Sequence, residues 1–237
     1  MRRQPTVAII TSVTDGYDTL KRTRQQFGVD VEWIAVTDGK EVREEDHGWT
    51  IFPFVPEDTS GSGLRASTAD ETHPNRLAKI AKCMPWTVSL AEYTIWIDAS
   101  YRVISPLFAK EAIEFAHPIA QFVHPWRGCL YDEGDASMAL PRYEDQSVMI
   151  AEQMAEYREI GHPRDWGLWA TGVIVRKNIA DLHVFGEQWL AEIRRWSFQD
   201  QVSEPMALRM CDLRPSPLPG DHIRNPWLGY EGSARHG

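Results

Sequence analysis

Apolar residues come in short runs separated by polar turns, and their period changes along the chain. Residues 6–12 (TVAIITS) are β-branched and apolar on both faces, and the polar stretch 13–18 follows, which predicts a buried strand ending in a loop. Residues 20–27 carry a short helical pattern closed by Gly28, and residues 30–36 (DVEWIAV) form a second strand pattern ending in Thr37-Asp38-Gly39. This alternation predicts a right-handed βαβ unit with parallel strands.

Residues 57–70 turn to Ser, Gly, Thr and charge without any period, which predicts a mobile loop over 57–72 and a candidate lid over a ligand. A helix over 75–84 presents Arg76, Lys79 and Lys82 and stops at Pro85. Strands follow at 93–98 (YTIWID), 120–124 (AQFVH) and 170–176 (ATGVIVR). Helical spacing returns over 145–160 and 179–196, the latter with Leu182, Phe185, Trp189, Ile193 and Trp196 on one core-facing stripe. A last helix is expected over 204–211, then a Pro, Gly and Arg-rich tail whose first part docks over the site and whose end, 228–237, frays. No internal repeat is present, and the elements predict one α/β domain over 1–237: a Rossmann-like, mixed but mainly parallel sheet flanked by helices.

Composition narrows the function classes. With 237 residues and 43% apolar content the chain can bury one substantial core. A net charge of −9 weighs against a protein whose affinity comes from neutralising nucleic-acid phosphates. Cys83, Cys129 and Cys211 fit neither a zinc site nor a disulfide framework, and Met1-Arg2-Arg3 leads into a polar turn rather than an export signal, so a reducing cytoplasm without membrane insertion is expected. Most of the ten tryptophans are expected in or near the core, the rest being suited to stacking on sugar rings.

In open parallel sheets ligands lie beyond the carboxyl ends of the strands. There the first strand leaves Thr11, Ser12, Thr14 and Asp15, the second Asp38, and the third Asp98, Ser100 and Tyr101. Asp98 emerges from the apolar run Ile95-Trp96-Ile97, where a metal-bound diphosphate would give its carboxylate a task; capping the next turn is the alternative. Arg65, Arg76 and Lys79 offer cations for phosphate oxygens, although a solvated helix face is the plainer account of such residues, above all for Lys82. His124, Arg127 and Glu133 follow the fourth strand and are expected on the acceptor side, with Trp126 as a stacking platform and Glu133 as a candidate base. His-Pro pairs at 73, 117, 124 and 162 read mostly as turn punctuation, leaving His124 and His222 where chemistry is expected. Gly61-x-Gly63 lacks the strand and helix of a dinucleotide fingerprint, and no phosphate loop or nucleophile elbow exists, so hydride and acyl transfer are poorly supported.

Trp96-Ile97-Asp98-Ala99-Ser100, preceded by Asn75-Arg76-x-x-Lys79 and Cys83-Met84-Pro85, resembles the glycosyltransferase-like domain of plant cell-wall and mucilage proteins and their bacterial and viral relatives. The likeness continues through His124-Pro125-Trp126-Arg127-Gly128-Cys129, Gly172-Val173-Ile174-Val175-Arg176 and Asp200-Gln201-x-Ser203. More distantly the layout is similar to GT-A nucleotide-sugar transferases, which carry Asp-x-Asp after a central strand, a later Asp-Gln pair, and a late His ahead of Pro-Trp; Ser100 stands where the second aspartate would be. The resemblance implies a transferase that takes a nucleoside-diphosphate sugar, with base and ribose near Thr11, Ser12, Asp15 and Asp38 and diphosphate near Asp98, Ser100, Arg76 and Lys79. It further implies a manganese or magnesium ion on Asp98 and His222, or a metal-independent route through Arg76 and Lys79. Asp200 and Glu133 would act on the acceptor, with His124, Trp126, Arg127 and Gln201 binding it; Asp200 as a helix cap is the alternative. A glycan, a small molecule or a hydroxylated base in viral DNA would serve as acceptor, and a non-catalytic sugar- or nucleotide-binding module is the competing class.

Overall fold

The computed structural model describes residues 3–39, 48–56, 64–66 and 74–232. Its main sheet contains β1 (Thr6–Val13), β2 (Asp30–Thr37), β3 (Thr50–Pro56), β4 (Leu64–Ala66) and β5 (Tyr93–Ile97), while β6 (Tyr101–Val103) lies apart from it. Helices α1 (Pro74–Cys83) and α2 (Phe108–Ile113) flank β5 in the chain, and β7 (Ile119–Val123) follows. Then come α3 (Leu130–Met138), α4 (Ser147–Glu159), β8 (Trp169–Lys177), α5 (Ala180–Arg195), α6 (Asp200–Met210), β9 (Ser216–Pro217) and β10 (Leu228–Tyr230). The eight-stranded sheet has the order β4-β3-β2-β1-β5-β8-β7-β9, with β10 and β6 forming a two-stranded ribbon. Only β8 runs against its neighbours, pairing antiparallel with β5 and β7, so the sheet is mixed and mainly parallel as the strand pattern predicts.

Alternation along β1 divides the core. Val7 and Ile9 face one side with α2, Trp227 and Leu228, whereas Ala8 and Ile10 face the other, under α1, α5 and α6. Of the predicted stripe, Leu182, Phe185, Trp189 and Ile193 are buried on this second face, whereas Trp196 follows the end of α5, is half-buried and packs against the cluster of Tyr131, Met154 and Tyr157. Gly186 lets α5 approach α1, because a Cβ there would stand 2.1 Å from the Cys83 carbonyl oxygen. A third cluster joins α3, α4 and α6 through Tyr131, Met154, Tyr157 and Val202.

Several expectations are corrected. Residues 20–27 form no helix; Gln26 instead donates to Ser105 O (3.0 Å) and accepts from Ala109 N (2.9 Å), so tertiary bonds capture the segment in an irregular path. Helix α6 starts at Asp200 and runs through Pro205, rather than starting at residue 204. Of the tail expected to fray, Leu228–Tyr230 forms β10 against β6, and Leu228 is buried. The expected loop 57–72 lies outside the described residues except for 64–66, which pair as β4 with β3; the Arg65 side chain is likewise outside them.

Candidate functional site

The order of strands reverses between β1 and β5, since the chain proceeds outward from β1 through β2 to β4 and then returns to the other side of β1. Such a switch point opens a crevice at the carboxyl edge of a parallel sheet. A cleft of ≈ 510 Å³ occupies that place, floored by Ser12 and Thr14 at the end of β1 and by Asp98 and Ser100 after β5. A larger, more open hollow of ≈ 690 Å³ lies at the opposite edge, around Arg3, Asp30, Glu32 and Leu90, away from every strand end that carries the candidate chemistry. Thr14 Oγ1 donates to Pro74 O (2.9 Å), which ties the floor to the start of α1.

Helix α1 brings Lys79 and Lys82 to this edge on one face. Lys82 is 1% exposed, and its ammonium sits 2.6 Å from Asp200 Oδ2 and 3.3 Å from Asp98 Oδ1. Lys79 lies 3.0 Å from the same Asp200 Oδ2. Both contacts are buried ion pairs on a single carboxylate oxygen. Burial alone would raise the Asp200 carboxyl, but the Lys79 and Lys82 charges prevail and hold it well below the usual carboxylate range. Asp98 Oδ1 also accepts from Trp96 Nε1 (2.7 Å), while Asp98 N donates to Gly172 O (2.8 Å). The Asp98 side chain remains 42% exposed, and its Oδ2 lies over Gly172, 3.2 Å from where a Cβ would stand. Thus one oxygen of Asp98 is spent inside the protein, while the half-exposed residue lines the cleft.

A second group lines the far wall. His124 Nδ1 accepts from the backbone N–H of Arg127 (3.0 Å) and of Trp126 (3.4 Å), which leaves the proton of the neutral ring on Nε2, 3.6 Å from Glu133 Oε2. Burial and the neighbouring Arg127 push His124 down to about 4, so the ring is neutral near pH 7. Glu133 is buried on α3, where Arg127 Nε donates to Oε2 and Gln199 Nε2 to Oε1 (3.3 Å). Burial raises its carboxyl and the Arg127 bond opposes the rise. Gln201 takes Thr171 N on its Oε1 (3.3 Å) and turns its amide toward Glu133. Trp126 is 66% exposed at the mouth, edge-on to His222 with ring centroids 5.6 Å apart.

The expected residues therefore divide. Ser12, Lys79, Asp98, Ser100, His124, Trp126, Arg127, Glu133, Asp200, Gln201 and His222 all line the one cleft. Arg76 does not: its guanidinium donates to the carbonyls of Ile193 and Trp196 (2.9 Å for the latter) and pins α1 to α5. Thr11 is 1% exposed and outside the lining, as are Asp15 and Asp38, where Asp15 N donates to Asp38 Oδ2 (2.8 Å). Lys82, expected on a solvated face, is instead the buried centre of the cluster. Its signal was the apolar company of Ile80, Ala81 and Cys83 around a residue three after Lys79. Tyr101, named after the third strand, lines the cleft too, as do Arg142, Tyr143, Phe198 and Gln199, which carried no motif.

The ligand set for a divalent ion is short. Asp98 Oδ1 already takes Lys82 and Trp96, Ser100 is neutral, and His222 packs between His124 (6.4 Å) and Trp126 (5.6 Å). Among the described residues no group of three or more His, Cys, Asp or Glu could hold a metal. Nor is any helix among them long and apolar enough to cross a membrane.

No curated protein matches the chain. The profile of one family matches residues 69–216, which include α1, the Asp98 strand, the Glu133 helix and Asp200. With more than half of its residues under that match, and a switch-point cleft formed by those elements, the chain belongs to the TOD1/MUCI70 glycosyltransferase-like domain family.

Proposed function

We propose that the protein transfers a sugar from a nucleoside-diphosphate sugar to an acceptor hydroxyl. The observation that carries this reading is Asp98, which lines the switch-point cleft with one carboxylate oxygen fixed by Lys82 and Trp96. A carboxylate held in this way is a rigid acceptor for donor hydroxyls. In the transfer the anomeric C–O bond breaks with its electron pair leaving on the diphosphate, the acceptor oxygen forms the new bond, and its proton passes to a base.

Glu133 suits the base better than Asp200. Two ammoniums suppress proton uptake by Asp200, whereas burial favours it at Glu133. Trp126 at the mouth offers a flat face to an acceptor ring. A modified-DNA acceptor would call for a basic face around Arg194, Arg195, Arg209, Arg214 and Arg224, and of these Arg195 pairs with Glu156 (2.7 Å) and Arg214 stacks over Trp166 (4.7 Å).

Isothermal titration with UDP-, GDP- and ADP-sugars tests the donor, and binding by none of them refutes the proposal. Glu133→Gln should lower kcat by about 10²-fold or more with donor affinity unchanged.

A further inference from the structure

The GT-A resemblance implies a divalent ion between Asp98 and the donor diphosphate, yet Asp98 Oδ1 faces an ammonium, Lys82, at 3.3 Å. From this disagreement, and resting on the transferase reading above, we propose that Lys79 meets the donor diphosphate in place of a metal ion, with Lys82 as the fixed counter-ion that frees it.

Two ammoniums share one oxygen. Lys82 at 2.6 Å and Lys79 at 3.0 Å both approach Asp200 Oδ2, so their like charges are crowded and one suffices for the carboxylate. Lys82 cannot leave, because its side chain is 2% exposed and it also serves Asp98. Lys79 can: its side chain is 19% exposed and it lines the cleft. A diphosphate entering the cleft offers Lys79 better-directed acceptors than the oxygen it now shares. Asp200 keeps its compensation through Lys82, so the exchange leaves no buried charge unpaired. Asp98, with one oxygen neutralised by Lys82, keeps Oδ2 for a donor hydroxyl rather than for a cation. Ser100 fits the same design, since a second carboxylate there would repel a diphosphate that no metal bridges.

The test uses the full chain stripped of metal with EDTA and titrated with UDP, GDP and ADP by calorimetry, with and without excess manganese chloride. The diphosphate that binds should do so with Kd values in the two conditions that differ by less than about threefold. Lys79→Gln should weaken that diphosphate by about tenfold or more while leaving the matching nucleoside, which lacks phosphates, unaffected, and Lys79→Arg should restore part of the loss. Binding that collapses after EDTA and returns with manganese overturns the inference, as does an unchanged Kd in Lys79→Gln. Failure of all three diphosphates in both conditions is a separate outcome, which overturns the transferase reading and this inference with it.

Discussion

Glu204 gives the sharpest test of the buried electrostatics. It has no exposure on α6; the Gln121 amide donates to its Oε1 at 2.7 Å, and its Oε2 has no hydrogen-bond partner among the described residues. Burial pushes its carboxyl from 4.5 up to about 8, against the Gln121 bond and with the help of the Asp200 charge. The unfolded chain therefore releases this proton near pH 4.5 while the folded chain holds it until about pH 8. Across that window the unfolded state binds fewer protons, so stability must fall as pH rises, and level off above it. At about 1.36 kcal/mol per pH unit the fall is bounded at about 5 kcal/mol, and relaxation around the carboxylate reduces it to about 2–3 kcal/mol. Glu204→Gln keeps an acceptor for Gln121 and cannot ionise. Urea unfolding of both proteins from about pH 5 to about pH 8.5 should show the wild-type stability declining relative to the variant, which becomes the more stable by about 2 kcal/mol at the upper end. Parallel curves, or a variant less stable throughout, would show that Glu204 is ionised beside Lys82 and Arg176 and would refute the reasoning.

Other outcomes follow from single contacts. Lys82→Met leaves Asp98 without its ammonium and Asp200 to Lys79 alone, and should cost about 1.5–3 kcal/mol in urea unfolding at neutral pH; a loss under about 0.5 kcal/mol contradicts the pairing. Gly186→Ala forces a Cβ to within 2.1 Å of the Cys83 carbonyl, so α5 must lift from α1, and the thermal midpoint should drop for a cost of about 1–3 kcal/mol; an unchanged midpoint contradicts that packing. Trp126→Ala removes a ring that is 66% exposed, and should leave thermal stability within about 0.5 kcal/mol of wild type while raising the acceptor KM several-fold. A stability loss without a KM effect would assign Trp126 to packing instead.

The sequence made the frame of the fold legible where one element carried one unambiguous period. β1, β5 and α5 are of this kind, because both faces of β1 are apolar and the α5 stripe matches its burial. Elements with mixed signals were hidden. β3 reads TIFPFVP, and its two prolines argue against a strand that nonetheless pairs with β2 and β4. α3 reads LYDEGDASM, in which two Asp, a Gly and a Ser blur the helical signal of Leu, Glu, Ala and Met, and the contacts of Leu130 and Tyr131 hold it. In the site, Asp98 was legible because it ends an apolar run, and Glu133 because it follows a strand end. Lys82 and Arg76 exchanged places with expectation for one reason: which lysine or arginine of a helix is buried depends on partners from distant segments. Lys82 finds Asp98 and Asp200, while Arg76 finds the last carbonyls of α5. No local pattern encodes a partner more than a hundred residues away.

The pairing of β10 with β6 also orders events in time. His222 and Tyr230 belong to the cleft, and Glu231 N donates to Ser100 O (2.9 Å) beside Asp98. A nascent chain that has left the ribosome only as far as α6 already carries Lys79, Asp98, Glu133 and Asp200, yet it lacks the wall those late residues supply and leaves Phe108 and Phe122 without Trp227. Since synthesis is vectorial and these contacts join distant parts of the chain, the pocket closes last. A cleft with this wall in place is thereby reserved for molecules whose translation has passed residue 230.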